Sequence, residues 1–323
     1  MANKFVFLPP QTDLFQEWIP RLLDSQPGWE IATPSTEQEA IKELADADAA
    51  FGTMTPELVA AAPNLRWLQA PAAAPNAGYY FDELIAHPTK VTNFREIYND
   101  HISIQILGYI INFTKHFNLY RDQQNERKYA PLQPPEHDVF LPESTVLIIG
   151  VGGIGAETAR ICKAVGMHVL GIDARREDKP EWVDDMFTPD QLEDQLPNAD
   201  FVVLTIPHTP ATEGLFDASK FALMKNTAKF INIGRGMTTK LDDLNDALRS
   251  GQIGGAGLDV YEIEPLPPNH PLWDAPNTII TPHTAAIGGA NLTERRYEIV
   301  VENFRNFADG KPLRNEVDKA NWF

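Results

Sequence analysis

"STVLIIGVGGIGAETARICKAVGMHVLGID", Ser144 to Asp173, decides the fold. An apolar run, Val146 to Ile149, leads into Gly150-Val151-Gly152-Gly153-Ile154-Gly155. An amphipathic helical pattern follows, then a second apolar run that closes on Asp173. Glycines between a strand and a helix, with an acid roughly 20 residues on at the next strand's end, form the pattern of a dinucleotide-binding βαβ unit. Gly150 permits the tight turn, Gly152 lets the backbone approach a pyrophosphate, and Gly155 lets the helix pack close on the strand. From Gly153 and Ile154 onward, free helix N–H groups and the helix dipole supply positive potential for the phosphates. Cys162 lies inside this helix and reads as a small buried apolar residue.

Asp173 stands in "GIDARRED", residues 171–178. A carboxylate there accepts hydrogen bonds from the adenine ribose hydroxyls and repels a 2′-phosphate. Arg175 and Arg176 follow at once, and either could attract that phosphate. Screening weakens mobile cations more than a carboxylate at the contact position. The expected cofactor is therefore NAD, with NADP as the alternative.

The chain has 323 residues, a length that suggests two domains. Lys plus Arg number 27 against 45 Asp plus Glu, a net charge of −18. Such a surface disfavours nucleic acid and anionic membrane as partners. Any anionic ligand needs locally built positive potential, which the helix start provides. A single cysteine cannot form an internal disulfide, and no segment reaches the ~18 apolar residues of a membrane span. A cytoplasmic location is expected.

Short apolar runs alternate with helical patterns over the first hundred residues. Strands are expected at 4–8, 47–52, 65–70 and 90–94, and helices at 14–23 and 35–44. A long capped helix is expected over 99–117, and a Pro-rich loop over 128–144. The βα rhythm restarts at Thr145, and a closing helix is expected over 291–310. This reads as an α/β protein with two Rossmann-like or flavodoxin-like domains built on parallel sheets. The expected division is a discontinuous substrate domain, 1–98 and 290–323, with a cofactor domain, 99–289, inserted into it.

Three more stretches sit at strand ends, where open α/β sheets bind ligands. "FINIGRG" carries Arg235, "GLDVYEIEP" carries Asp259 and Glu264, and "NTIITPH" ends on His283. An arginine offers a forked donor for a carboxylate, and a histidine suits proton transfer near neutral pH. With a carboxylate to orient the histidine, the set suits reduction of a 2-oxo acid beside a nicotinamide.

Together with "IGVGGIG", "PLWDAPNTIITPH" and the terminal "GKPLRNEVD", these motifs make the chain resemble the D-isomer-specific 2-hydroxyacid dehydrogenase family. The resemblance spans essentially the whole chain and is strongest over 140–290. It implies that Arg235 binds the substrate carboxylate and carbonyl, that His283 exchanges a proton with the substrate oxygen, and that Glu264 orients His283. It further implies that Asp259 holds the nicotinamide carboxamide and that Thr205, Ile206 and Pro207 line the adenine side. A homodimer and a small 2-oxo or 2-hydroxy acid substrate follow as expectations.

In many family members a first-domain loop with a Gly-Val or Gly-Xaa-Asp pattern meets the substrate carboxylate; here "QAPAAAPNAGYYFDEL" lacks that pattern, so Ala72, Ala73 and Ala74 are candidates through their backbone only. Glu264 also argues against formate oxidation, in which that position is typically Gln. A different class stays open: a dinucleotide-sensing binding protein, as in corepressors built on this fold. Turnover of NADH or NADPH with 2-oxo acids separates the two.

Overall fold

In the computed structural model, residues 3–73, 78–133, 139–176, 178–287, 289 and 291–321 are described. Chain contacts divide the protein into one unit of Met1–Ile97 with Gly288–Phe323 and another of Tyr98–Ile287.

The first unit runs β1 (Lys4–Phe7), α1 (Asp13–Ser25), β2 (Glu30–Ala32), α2 (Glu37–Leu44), β3 (Ala49–Phe51), α3 (Pro56–Ala60), β4 (Trp67–Gln69), α4 (Asp82–Ala86) and β5 (Lys90–Thr92). All five strands are parallel, in the order β2-β1-β3-β4-β5. β1, β3, β4 and β5 are each shorter than the run expected for them, because only the paired residues keep strand geometry, and β2 falls outside the expected strands. Thr36 and Thr55 cap α2 and α3 through their hydroxyls.

The second unit opens with α5 (Asn99–Lys115). The helix expected to reach residue 117 stops at His116, which takes a left-handed φ of 53° and donates its N–H to the Asn112 carbonyl. The chain then resumes as α6 (Phe117–Asn125), which buries none of its described residues. Among the described residues of the Pro-rich stretch, Leu141–Glu143 makes a helical turn.

From there come β6 (Thr145–Ile149), α7 (Gly153–Ala164), β7 (His168–Ile172), β8 (Asp185–Phe187), α8 (Leu192–Gln195), β9 (Phe201–Leu204), α9 (Ala218–Leu223), β10 (Lys229–Asn232), α10 (Leu241–Arg249), β11 (Gly255–Leu258) and β12 (Thr278–Ile280). Helix α11 (Leu292–Ala308) closes the chain and belongs to the first unit. There Phe304 packs on Phe5, and Val317 in the tail donates its N–H to Val91.

The seven-stranded sheet is parallel, ordered β12-β11-β10-β9-β6-β7-β8. Its core obeys the two-residue period of a doubly covered sheet. Leu147 and Ile149 enter one apolar cluster, Val146 and Ile148 the other. Register places Ile280, Leu258, Asn232, Leu204, Ile149 and Ile172 in one row of partners. The strand order reverses between β6 and β9, so the loops leaving this row surround a topological switch point. Among the described residues, no helix is long and apolar enough to cross a membrane.

Candidate active site

The loop after β6 fits a dinucleotide. Helix α7 begins at Gly152 with no side-chain cap and no acidic residue in its first turn, unlike α2 and α3. Its first N–H groups are left for an anion. A Cβ built on Gly152 meets nothing within 4 Å, so the backbone there faces open space. One built on Gly155 would overlap the Gly150 carbonyl, which explains why the helix can lie so close to the strand end. From the other side, Thr205 donates its hydroxyl to the Gly150 carbonyl at 2.6 Å, and Ile206 packs against the same turn. The exposed Pro207 accepts a hydrogen bond from Thr212 at 2.7 Å.

Asp173 binds the loop rather than standing free of it. Its Oδ2 accepts the Val151 N–H at 2.8 Å, and its Oδ1 accepts the N–H groups of Arg175 and Arg176 at 2.9 and 3.0 Å. Arg176 returns along the same path, donating to the Val151 carbonyl at 2.9 Å and pairing with Asp178. Arg175 is exposed.

Arg235 leaves the end of β10, where the polar Asn232 is fully buried. The Asn232 amide accepts from Gly234 N–H at 3.1 Å and donates to the Arg235 carbonyl at 3.2 Å and the Thr239 hydroxyl at 3.0 Å. The next residue must be glycine, since a Cβ on Gly236 would overlap the Tyr261 main chain. One Arg235 N–H is given to the Gly234 carbonyl at 2.5 Å. Burial pulls the guanidinium pKa down, while the charge of Glu264 pulls it back up. It stays charged at neutral pH, with further N–H groups to offer a carboxylate.

Glu264 joins the two loops. Its Oε1 accepts the Tyr261 N–H at 2.9 Å, and its Oε2 lies 2.7 Å from His283 Nδ1. A carboxylate accepts only, so Nδ1 carries the proton and Nε2 is left for another partner. His283 holds a left-handed φ of 52°, and its N–H bonds to Thr281 O at 3.0 Å.

Beneath it lies Asp259, 1% exposed. Its Oδ1 accepts from Thr284 N–H at 2.9 Å, Gln105 Nε2 at 3.1 Å and the Thr281 hydroxyl. Among the described residues its Oδ2 accepts Ala285 N–H alone, at 3.0 Å. Tyr261 donates to the carbonyls of Leu258 and Thr281, and burial above all raises its pKa.

Of the remaining candidates, Ala72 and Ala73 lie in the first unit, where the Ala73 carbonyl accepts from Asn93 at 2.9 Å. Ala74 lies outside the described residues. Tyr79 is core, donating to the Gly52 carbonyl. The Tyr80 hydroxyl is buried without a hydrogen-bond partner among the described residues, and burial pushes its pKa up to about 12. Cys162 is buried, its thiol pushed up to about 12.

Gln105, Tyr109, Asn232 and Thr281 were not singled out by sequence reasoning. The available signal was a polar residue inside an apolar pattern: Gln105 within α5 and Asn232 within "KFIN".

Comparison with known proteins bears on the whole chain. The family described as "D-isomer specific 2-hydroxyacid dehydrogenase, NAD binding domain" matches residues 107–285. A glyoxylate reductase of Korarchaeum cryptofilum is 31% identical over 304 residues, 90% of this chain and 89% of that one. A human glyoxylate reductase/hydroxypyruvate reductase is 41% identical over 182 residues, 55% of this chain and 54% of that one. A D-isomer specific 2-hydroxyacid dehydrogenase from Xanthobacter autotrophicus Py2, solved with NADPH and MES, superposes with a TM-score of 0.85 at 27% identity over 100% of both chains.

Proposed function

From the premise that this chain belongs to the D-isomer specific 2-hydroxyacid dehydrogenase family, we propose that it reduces glyoxylate or hydroxypyruvate, using Arg235, His283 and Glu264. It is a nicotinamide-dependent oxidoreductase acting between 2-oxo acids and 2-hydroxy acids. The observation that carries the assignment of roles is the 2.7 Å contact between His283 Nδ1 and Glu264. It leaves Nε2 to deliver the proton, with a carboxylate to balance the imidazolium charge.

Arg235, with N–H groups unspent among the described residues, binds the substrate carboxylate and polarises the carbonyl. A dinucleotide held by the loop after β6 would supply a hydride. His283 gives the substrate oxygen its proton, so one hydride and one proton together convert the carbonyl to an alcohol. Gly150, Gly152, Gly153, Ile154 and Gly155 would hold the pyrophosphate through their backbone.

NAD is the proposed cofactor. Asp173 keeps a negative charge where a 2′-phosphate would lie, and Arg176 is already spent on Asp178 and Val151. NADP is the second reading, favoured by the NADPH bound to the Xanthobacter relative. We further propose a homodimer through the second unit, on which Ile104, Phe117, Leu119, Tyr129 and Phe140 are exposed. The proposed compartment is the cytoplasm, supported by a lone, buried cysteine.

The test is oxidation of NADH and NADPH with glyoxylate, hydroxypyruvate, pyruvate and bulkier 2-oxo acids. Turnover with the two smallest substrates is expected to exceed the rest. Absence of turnover with all of them, despite measurable dinucleotide binding, would refute the assignment. Sedimentation at several concentrations reads the dimer.

A further inference from the structure

Gln105 projects from a largely apolar stretch of α5 to the carboxylate beneath the His283 loop. Its Nε2 lies 2.8 Å from the Tyr109 hydroxyl, 2.9 Å from Thr281 Oγ1 and 3.1 Å from Asp259 Oδ1. Asp259 settles the amide's orientation, since the Gln105 carbonyl oxygen in that place would face a carboxylate. The hydroxyl protons then follow in one consistent order. The Thr281 hydroxyl donates to Asp259 Oδ1, and its oxygen accepts from the Tyr109 hydroxyl at 2.5 Å. One Gln105 N–H serves Asp259, and the other serves Thr281 or Tyr109.

With these donors Oδ1 is saturated, and rotation of the Asp259 carboxylate would break three hydrogen bonds at once. The same carboxylate holds Thr284 N–H and Ala285 N–H, the two residues after His283. The backbone at His283 is strained into the left-handed region and needs such a restraint on its far side.

We propose that Gln105 is a positioning residue for His283: it locks the Asp259 carboxylate, and the locked carboxylate fixes the loop that aims the imidazole. The effect on turnover rests on the reading of His283 as proton donor, but the restraint on the loop does not. Gln105 sits 154 and 176 positions before Asp259 and Thr281. The titratable groups around the amide are Asp259 and Tyr109, with Tyr261 next and Glu264 beyond it.

Two variants test this in the full-length protein with glyoxylate and dinucleotide. In Gln105→Leu, kcat is expected to fall about 10- to 100-fold, with KM for glyoxylate changing much less, because a misaimed proton donor affects the reaction step. In Gln105→Glu, the introduced carboxyl meets Asp259 and must take up a proton to donate as the amide did. Its kcat/KM relative to wild type is expected to rise about fivefold or more between pH 8 and pH 5.5. A merely structural role gives a ratio that does not change with pH.

Hydrogen exchange over residues 281–287, without substrate, provides a readout independent of activity. Gln105→Leu should speed exchange at Thr284 and Ala285 at least about tenfold. Unchanged exchange there, or a flat pH ratio with wild-type kcat in Gln105→Leu, overturns the proposal. If wild type turns over none of the 2-oxo acids, the assigned function fails, and exchange alone decides the loop restraint.

Discussion

The loop after β6 and the loops after β10, β11 and β12 leave the same row of the same sheet, yet they are made of opposite materials. The first works by having no side chains. Gly152 faces open space, Gly155 slips past the Gly150 carbonyl, and the helix start is left uncapped. The others work by having side chains tied at both ends. Asn232 holds the Arg235 loop, and Asp259 with Gln105 holds the His283 loop. A phosphate is large, charged and tolerant, so bare backbone suffices to receive it. A proton must pass between two particular atoms, and only oriented side chains achieve that.

Substitutions should therefore separate binding from chemistry. The largest effect is expected at His283: His283→Gln should lower kcat about 10²- to 10⁴-fold while the dinucleotide Kd, read by fluorescence or calorimetry, stays within about twofold. A large loss of affinity would put His283 on the binding side of the division. Gly155→Val inverts the pattern. Its side chain collides with the Gly150 carbonyl, so dinucleotide binding should vanish and stability should drop by about 1–3 kcal/mol by thermal unfolding.

Next comes Arg235→Lys, expected to lower kcat/KM about 10- to 100-fold, since a point charge replaces a fork. Intact kcat/KM in that variant removes Arg235 from carboxylate binding. Asp173→Ser should move the NADPH/NADH ratio of kcat/KM upward about tenfold, at some loss of stability, because three N–H groups lose their acceptor. The smallest effect belongs to Cys162 in α7. Burial keeps its thiol protonated, so aromatic disulfide reagents at pH 7.5 should leave both activity and thiol content unchanged.

The two kinds of loop also differ in how plainly the sequence declares them. Glycines at fixed spacing state their own purpose, and so does an Arg, Glu or His at the end of an apolar strand. What those residues rest on is written elsewhere in the chain. Gln105 acquires meaning only when folding brings α5 beneath Asp259, and Asn232 looks like a blemish in an apolar strand until Gly234 and Arg235 curl back over it. The same limit applies to α6: a left-handed residue at His116 restarts the helix, and a segment with no buried face carries no periodic signal. In the first unit the apolar runs overshoot the strands, because register, not hydrophobicity, decides where pairing ends.

Val151 is gripped by both of its main-chain groups, the N–H by Asp173 and the carbonyl by Arg176. The turn proposed to meet the pyrophosphate is thus already ordered, and the backbone entropy of about 1–2 kcal/mol per residue is surrendered on folding instead of on capture. Association of the dinucleotide should then run as a single fast phase with no slow rearrangement behind it. Affinity among variants of this turn should differ through the rate of departure far more than the rate of arrival.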